Sequence, residues 1–379
     1  MKIAYCLNSI SEFGGISLAT ISKANALAHI EGNTVFVCVS DHTANNVSSL
    51  LSDKVKLIDL EIDYYSDDWK SRFNVIKGIL IKRRKHFNKL KTVLSRINPD
   101  IVVSVGQSEK YFLPKIKGNW SKIRELHYSS DYRQLNAQGY LKKLFAKIVE
   151  IYDYRLKSRR YDRVVLLTHE DKERNWRNNE KAIVIPNPLT AESSLKSNLS
   201  NKKIIAVGRL EYQKNFSSLV RAFAYVVGKH PDWILEIYGK GSERGVIEAW
   251  IEKLNLQNNI SIKDPEMPIA GKMAEASIMV LTSKFEGFGL VLVEGMACGL
   301  PVVSYDCPCG PKDIIADGED GFLVTVDDEK GLAHKMCKLI EDAPLRKRMG
   351  EGALEKSKKF HIDIISGQWI QLFKSLIRK

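Results

Sequence analysis

The sequence predicts an α/β protein made of two doubly wound, parallel-sheet domains. Short apolar strands alternate with helical stretches along the chain, the pattern that builds parallel sheets with helices on both faces. At 379 residues and 42.9 kDa the chain is long enough for two domains of ordinary size. A polar, Ser/Asn/Lys-rich stretch at 191–203, AESSLKSNLSNKK, interrupts the alternation halfway and suits a linker. The expected division is therefore an N-terminal domain over 1–190 and a second domain from 191.

Composition narrows the class. Hydrophobic residues make up 44% and charged residues 27%, the balance of a soluble globular protein. No apolar run approaches the roughly 18 residues that span a bilayer. The opening MKIAYCLNSI reads as a first strand and not as a signal peptide. Six cysteines are scattered, and Cys307-Pro-Cys309 lacks a second pair at metal spacing, so thiols of a cytosolic protein are expected and zinc is not. The net charge of +13 is one-sided: residues 1–190 hold 32 Lys and Arg against 20 Asp and Glu, and residues 191–379 hold 26 against 25. A basic first half calls for an anionic partner, whether nucleic acid, anionic lipid or an acidic substrate.

In chain order, KIAYCLN leads through a turn holding Gly14 and Gly15 into an apolar-periodic segment at 17–29. Glycines at such a turn let the backbone approach a ligand and aim N–H groups at it, although the spacing is not the dinucleotide fingerprint. Further strands are expected at 34–40, 56–60, 100–106, 122–128 and 163–168. Ligands of such sheets bind beyond the carboxyl ends of the strands, where His127 closes the strand KIRELH. Two basic amphipathic helices are expected at 79–96, with Lys82, Arg83, Arg84, Lys85, Lys89 and Lys91, and at 140–160. Such helices can lie on anionic membranes, and aromatics between cations can stack on bases. Without an RNP, helix-turn-helix or zinc pattern, nucleic acid is the weaker choice.

A new strand, KIIAVGRL, opens the second half. Beyond it Arg209 and Lys214 could both address a diphosphate, one as a planar fork and one as a mobile point charge. WILEIYGKGSERG places Gly239, Gly241 and Gly245 in a strand-to-helix turn, and Asp264 ends the strand ISIKD. Read alone, that set could pass for a nicotinamide-dinucleotide site. The stretch 284–311, KFEGFGLVLVEGMACGLPVVSYDCPCGP, puts Glu286 in a Gly-rich turn and Glu294 eight residues on. A helix starting near Phe288 would hold Glu294 about a turn and a half inside it, with Glu286 just outside. Unsatisfied N–H groups at that start attract an anion, and the two carboxylates suit sugar or ribose hydroxyls.

EGFGLVLVEGMACGLPVV resembles the Glu-x7-Glu signature of retaining glycosyltransferases of family 4, bacterial surface-polysaccharide type, whose GT-B fold sets two Rossmann-like domains facing each other across a cleft. Gly208-Arg209-Leu210 followed by Gln-Lys-Asn is similar to the family's diphosphate-binding segment, and AIVIPNPL at 182–189 to the segment closing its first domain. The resemblance implies a second domain over 191–361 that binds the nucleotide sugar, and a last helix at about 362–379 crossing back onto the acceptor-side first domain. It implies that Gly14, Gly15, Gly239, Asp264, Phe288, Gly289, Leu290 and Glu294, with Arg209 and Lys214, hold the donor. Glu286 and His127 would orient the sugar, and Arg209 and Lys214 would stabilise the leaving diphosphate. Lys263 to Glu266 depart from the family's aromatic-Gly pair, which leaves the base in doubt.

The implied reaction moves a sugar, with retention, from a nucleotide diphosphate sugar to a hydroxyl of a glycan or lipid-linked saccharide. UDP-sugars are preferred over GDP-mannose. No Asp-x-Asp occurs in the chain, which fits a metal-independent enzyme without a cofactor. The location implied is cytoplasmic, on the inner face of the cytoplasmic membrane. The rivals are a mannosyltransferase using GDP-mannose, a nucleotide-sugar or nucleic-acid binding module without transfer, and an epimerase or dehydrogenase on a similar frame. The presence of Glu286, His127, Arg209 and Lys214 argues against a binding module, and the Glu-x7-Glu frame against the other enzymes.

Overall fold

The computed structural model describes residues 1–10, 14–41, 50–64, 72–137, 139–190 and 195–377. Among these, thirteen strands form two all-parallel sheets. The first contains β1 (Lys2–Leu7), β2 (Thr34–Val39), β3 (Val55–Asp59), β4 (Ile101–Ser104), β5 (Ser121–Glu125), β6 (Arg163–Leu166) and β7 (Ala182–Val184), in spatial order β3-β2-β1-β4-β5-β6-β7. The second contains β8 (Lys203–Val207), β9 (Ile234–Tyr238), β10 (Ile260–Lys263), β11 (Ile278–Leu281), β12 (Val302–Tyr305) and β13 (Gly321–Val324), ordered β10-β9-β8-β11-β12-β13. The helices are α1 (Gly15–His29), α2 (Arg72–Ile97), α3 (Tyr132–Asn136), α4 (Tyr140–Glu150), α5 (His169–Asn175), α6 (Phe216–Val227), α7 (Arg244–Lys253), α8 (Ala270–Ala274), α9 (Leu290–Ala297), α10 (Pro311–Ile314), α11 (Glu329–Glu341), α12 (Ala343–Ser357) and α13 (Ile362–Leu376). The expected class is what forms: two doubly wound α/β domains.

Central strands are apolar on both faces because helices cover both. In the first unit Tyr5, Val37, Val103 and Ile123 pack with Leu27 of α1 and with Trp369 and Phe373 of α13. On another face Ala4, Cys38 and Val102 meet Leu90 and Leu94 of α2, with Phe112 and Tyr161. In the second unit Ile204, Leu235, Val280 and Val303 pack under α6 and α11, and Ile205, Met279 and Val302 under α9 and α12. Truncating one of the buried Leu, Ile or Met side chains among these to Ala opens a cavity and destabilises by about 2–5 kcal/mol.

The chain divides into two compact units, one of Met1–Leu166, Asn175–Pro188 and Ile362–Lys379, the other of Leu167–Arg174 and Leu189–His361. Residues 167–174 thus group with the second sheet although they follow β6 of the first. The stretch read as a linker is also part of the second unit in its described portion: Ser197 N–H donates to Cys298 O at 2.9 Å, and Leu199 is buried. Residues 191–194 of that stretch lie outside the described residues. Several elements differ in extent from expectation. The basic helix at 79–96 is the C-terminal part of the longer α2, and 140–160 is α4 continued by a π-helical turn (Ile151–Lys157) and a 3-10 turn. The strand expected at 122–128 closes at Glu125, leaving His127 two residues beyond it.

Candidate active site

In the second unit the strand order reverses between β8 and β11. β8 crosses over to β9 on one side and β11 to β12 on the other, so the loops leaving their carboxyl ends diverge and open a crevice. Those two loops carry Arg209 and Lys214, after β8, and Glu286, after β11. Backbone and side-chain bonds stitch them together. Lys284 N–H donates to Gln213 O at 2.8 Å, Gln213 Nε2 to Phe285 O at 2.9 Å, and Thr282 Oγ1 to Lys214 O at 3.0 Å.

Within that frame the Lys214 ammonium reaches Glu286 Oε1 at 2.6 Å, and the Ser283 hydroxyl donates to the same oxygen at 2.6 Å. Both partners of the ion pair are largely withdrawn from water, their side chains being 14% and 8% exposed. The Lys214 stem passes over Gly208, where a Cβ would come 3.2 Å from Lys214 Cε. Arg209 behaves differently. Its side chain is exposed and makes one long contact, 3.4 Å from Nη2 to Gln213 Oε1, which leaves the guanidinium room to swing toward a ligand.

The turn after β9 is pressed onto the same loop. A Cβ at Gly239 would lie 1.9 Å from Gly208 O, and one at Gly241 2.3 Å from Leu210 O. These glycines are therefore required by backbone approach, whatever else they touch. Gly245, the third of the motif, meets nothing within 4 Å. Asp264 stands one residue past β10, mostly exposed, 4.0 Å from Lys240 and 3.9 Å from Arg244.

The helix expected near Phe288 begins at Leu290, with Gly289 as N-cap at φ +92°, a left-handed conformation that favours glycine. Phe288 is turned into the core, edge-on to Phe360 at 5.6 Å between ring centres, so only its backbone faces the loop. Glu294 is the fifth residue of α9 and accepts the Thr190 hydroxyl at 2.7 Å. Burial pushes its carboxyl above the usual carboxylate range, and the Thr190 hydrogen bond offsets part of that rise. The Cys307–Gly310 turn closes over the loop: Glu286 N–H donates to Pro308 O at 3.0 Å, and a Cβ at Gly310 would meet Phe288 O at 2.2 Å. Cys309 N–H donates to Glu170 Oε2 at 2.8 Å, and Asp313 Oδ1 accepts His169 N–H at 2.6 Å, which ties residues 169–170 to this unit.

The first unit holds the remaining candidates. Gly14 is the N-cap of α1 at φ −101°, an ordinary extended conformation, and Gly15 is the helix's first residue. His127 lies in a buried charge cluster with Lys23 of α1 and Glu125 of β5. Lys23 donates to Glu125 Oε1, and His127 Nε2 lies 3.0 Å from that oxygen but off the hydrogen-bonding line. Burial lowers the His127 pKa, against the pull of Glu125. Burial alone would raise Glu125, but the Lys23 and His127 charges outweigh it and hold the carboxyl at about 2. The site partners that sequence reasoning missed are Ser283, Thr190, Lys23 and Glu125. Ser283, three residues from Glu286, and Glu125, two residues from His127, are near enough in sequence to have been read beside those residues.

Residues 190–356 match the family of glycosyl transferases group 1. A lipopolysaccharide 1,6-galactosyltransferase of Salmonella typhimurium is 25% identical over 360 residues, covering 87% of this chain and 88% of that protein. An exopolysaccharide phosphotransferase of Streptomyces coelicolor is 27% identical over 409 residues, and the match takes in all of this chain but only 41% of that longer protein. Among solved structures, Anabaena HepE in complex with UDP and glucose superposes with a TM-score of 0.75 at 18% identity, covering 99% of this chain and 100% of that one. With fold, matched segment and relatives in agreement, the chain is a glycosyltransferase of GT-B fold whose residues 190–356 match the glycosyl transferases group 1 family.

Proposed function

We propose that the chain transfers a sugar, with retention and without a metal ion, from a UDP-sugar to a hydroxyl of a glycan or lipid-linked saccharide during cell-surface polysaccharide synthesis. The Lys214–Glu286–Ser283 cluster at the β8/β11 switch point carries this reading. Departure of a nucleoside diphosphate builds negative charge on phosphate oxygens, and catalysis rests on fixed positive groups aimed there. Lys214 supplies one charge already desolvated by its pairing with Glu286. Arg209 supplies a second that is free to close over the phosphates, and the α9 N-terminus behind Gly289 and Leu290 offers unpaired amides. Glu286, fixed by three contacts, is assigned to a hydroxyl of the transferred sugar. Glu294 is assigned to the ribose hydroxyls, whose donors suit a half-buried carboxylate. UDP is preferred because HepE is described with UDP and glucose, and the polysaccharide setting because the Salmonella relative is a lipopolysaccharide 1,6-galactosyltransferase.

The test is a panel of UDP-, GDP- and ADP-sugars read by thermal shift and donor hydrolysis, with and without EDTA. Stabilisation by one UDP-sugar, unaffected by EDTA and lost in Lys214→Ala and Glu294→Ala, is the expected result. Stabilisation by a GDP- or ADP-sugar would refute the base assignment. No response to any donor would overturn the transfer reading.

A further inference from the structure

α6 ends at Val227, and the chain turns back toward β9 through His230. The His230 N–H donates to Val226 O at 2.8 Å, and its carbonyl accepts Trp233 N–H at 3.1 Å. α11 packs beside α6, with Phe223 and Val226 of one helix and Leu332 and Met336 of the other in the same core cluster. Cys337 and Glu341 of α11 stand one turn apart on a single face. Core packing of the two helices thus brings three kinds of donor together. A ring nitrogen of His230, the Cys337 sulfur and a Glu341 carboxylate oxygen all lie within 4.8 Å of one another. His230 Nε2 is 2.9 Å from Glu341 Oε1, and Cys337 is 5% exposed. β9 starts at Ile234, so the group sits at the amino ends of the second sheet's strands, whereas Lys214 and Glu286 stand on loops leaving the carboxyl ends.

Each residue alone has an ordinary explanation. A buried cysteine packs as a small apolar side chain, and a partly exposed His–Glu pair contributes little. Neither explains why nitrogen, sulfur and oxygen converge on one point. A tetrahedral zinc ion spaces such donors about 3.3–3.6 Å apart, so side-chain shifts of about 1 Å complete the set. The point opens on a cavity of about 460 Å³ lined by Cys337, Glu341 and, one turn earlier on the same helix face, His334, which leaves room for a water as fourth ligand. Thiolate and carboxylate together cancel the double charge of the ion, so the loaded centre is neutral beside Lys229 and Lys338 in the cavity wall. Sulfur and imidazole donors select zinc and its late first-row neighbours over magnesium and calcium, which take oxygen ligands.

We propose that His230, Cys337 and Glu341 form a zinc site, with water as the fourth ligand, that clasps the end of α6 to the end of α11. On binding, the Cys337 thiol proton passes to solvent, and the sulfur and the neutral imidazole each give a lone pair to the ion. Glu341 exchanges its contact with His230 for a bond to the metal, and no electron is transferred. The site stabilises the second unit from the strand ends opposite the donor loops. It goes beyond the transfer reading and leaves the sugar-transfer step without a metal.

The experiment strips the full chain with EDTA, removes the chelator by dialysis and titrates zinc chloride against a chromogenic zinc indicator, with cobalt chloride in parallel. One ion per chain is expected at micromolar zinc. Cobalt should give the sulfur-to-metal charge-transfer band and the visible bands of a tetrahedral thiolate complex. Cys337→Ala should abolish the charge-transfer band. It should also weaken zinc binding at least about tenfold, as should His230→Gln and Glu341→Gln, whose side chains are partly exposed and whose replacement spares the core. Zinc, and not magnesium, should raise the melting temperature of the natural chain. Binding that is absent, that needs millimolar zinc, or that the three variants leave unchanged would overturn the proposal. The donor-induced thermal shift, read in EDTA, should be the same in all four proteins. Its absence from all four would count against the transfer reading and leave the zinc site standing.

Discussion

Thr190 donates its hydroxyl to Glu294 Oε1 at 2.7 Å, bringing a residue from the start of the second unit's longer segment onto a carboxylate 104 positions later. Burial raises this carboxyl and the hydroxyl restrains the rise, so Glu294 has a folded-state pKa above its ordinary value of about 4.3. The sign follows from linkage. A carboxyl raised by folding contributes stability that is fully present below about pH 4.3 and lost as pH rises through its folded value. A nucleotide whose ribose hydroxyls donate to Glu294 binds the ionised form, so affinity should weaken as pH falls through that same value. Titration calorimetry of the nucleotide across mildly acid to neutral pH checks this. Thr190→Val should move the midpoint upward, and Glu294→Gln should flatten the profile while weakening binding about tenfold, the loss of one charge-assisted hydrogen bond.

The Lys214–Glu286 pair yields a second prediction, independent of any substrate. Removing either partner leaves the other charge poorly hydrated, and the two substitutions should not add. A double-mutant cycle of Lys214→Met and Glu286→Gln, read by urea unfolding, should give a coupling of about 1–3 kcal/mol. Additive effects would mean that the 2.6 Å contact contributes nothing to the folded state.

Much of this was legible in the sequence because it is local. Strand and helix alternation fixes a parallel α/β fold, and two carboxylates eight positions apart sit on one loop and one helix. Arg209 and Lys214 were readable for the same reason, since one loop carries both. The partners distant in sequence were not readable. Thr190 stands at the edge of a stretch that looks like a spacer, and nothing local marks its hydroxyl as a ligand of Glu294. Lys23 lies in an amphipathic-looking segment where a lysine ordinarily faces water, yet it is 1% exposed because Glu125 arrives from a strand about 100 residues away. Residues 167–174 follow β6 directly, and only the contacts of Glu170 and His169 with Cys309 and Asp313 place them with the second unit.

Lys23 should prove structurally costly to remove. Lys23→Met strands Glu125 in the interior, and breaking a buried ion pair in this way destabilises by about 3–5 kcal/mol. Thermal or urea unfolding measures the loss, which the double variant Lys23→Met/Glu125→Gln should largely recover. The same substitution removes a repelling cation from His127 while leaving Glu125 in need of a partner. The His127 pKa, lowered in the natural chain by burial, should therefore rise, as an imidazole NMR titration would record. The carboxyl also changes the acid limit. Held at about 2, Glu125 contributes stability present above about pH 4.3 and lost as pH falls through about 2, so the variant should unfold at a higher pH than the natural chain.

Two glycines of one motif should respond in opposite directions. Gly239 lies where the turn after β9 touches the loop after β8, and a Cβ there would sit 1.9 Å from Gly208 O, a backbone atom that cannot step aside. Gly239→Ala should therefore push the two loops apart, destabilising by about 1–3 kcal/mol as overpacking does, and displace Arg209 and Lys214 from their positions. Gly245, six residues on, is the second residue of α7 with nothing within 4 Å of its would-be Cβ. Gly245→Ala relieves a helical glycine and should stabilise by about 0.5–1 kcal/mol. Urea unfolding of both variants, with nucleotide-sugar thermal shift alongside, separates the cases. Gly239→Ala should lose donor response together with stability, and Gly245→Ala should gain stability and keep the response. Equal tolerance at both positions would mean that the approach of Gly239 to Gly208 does not constrain the site. The Gly-x-Gly-x-x-x-Gly spacing would then owe its first member to the ligand and not to the fold.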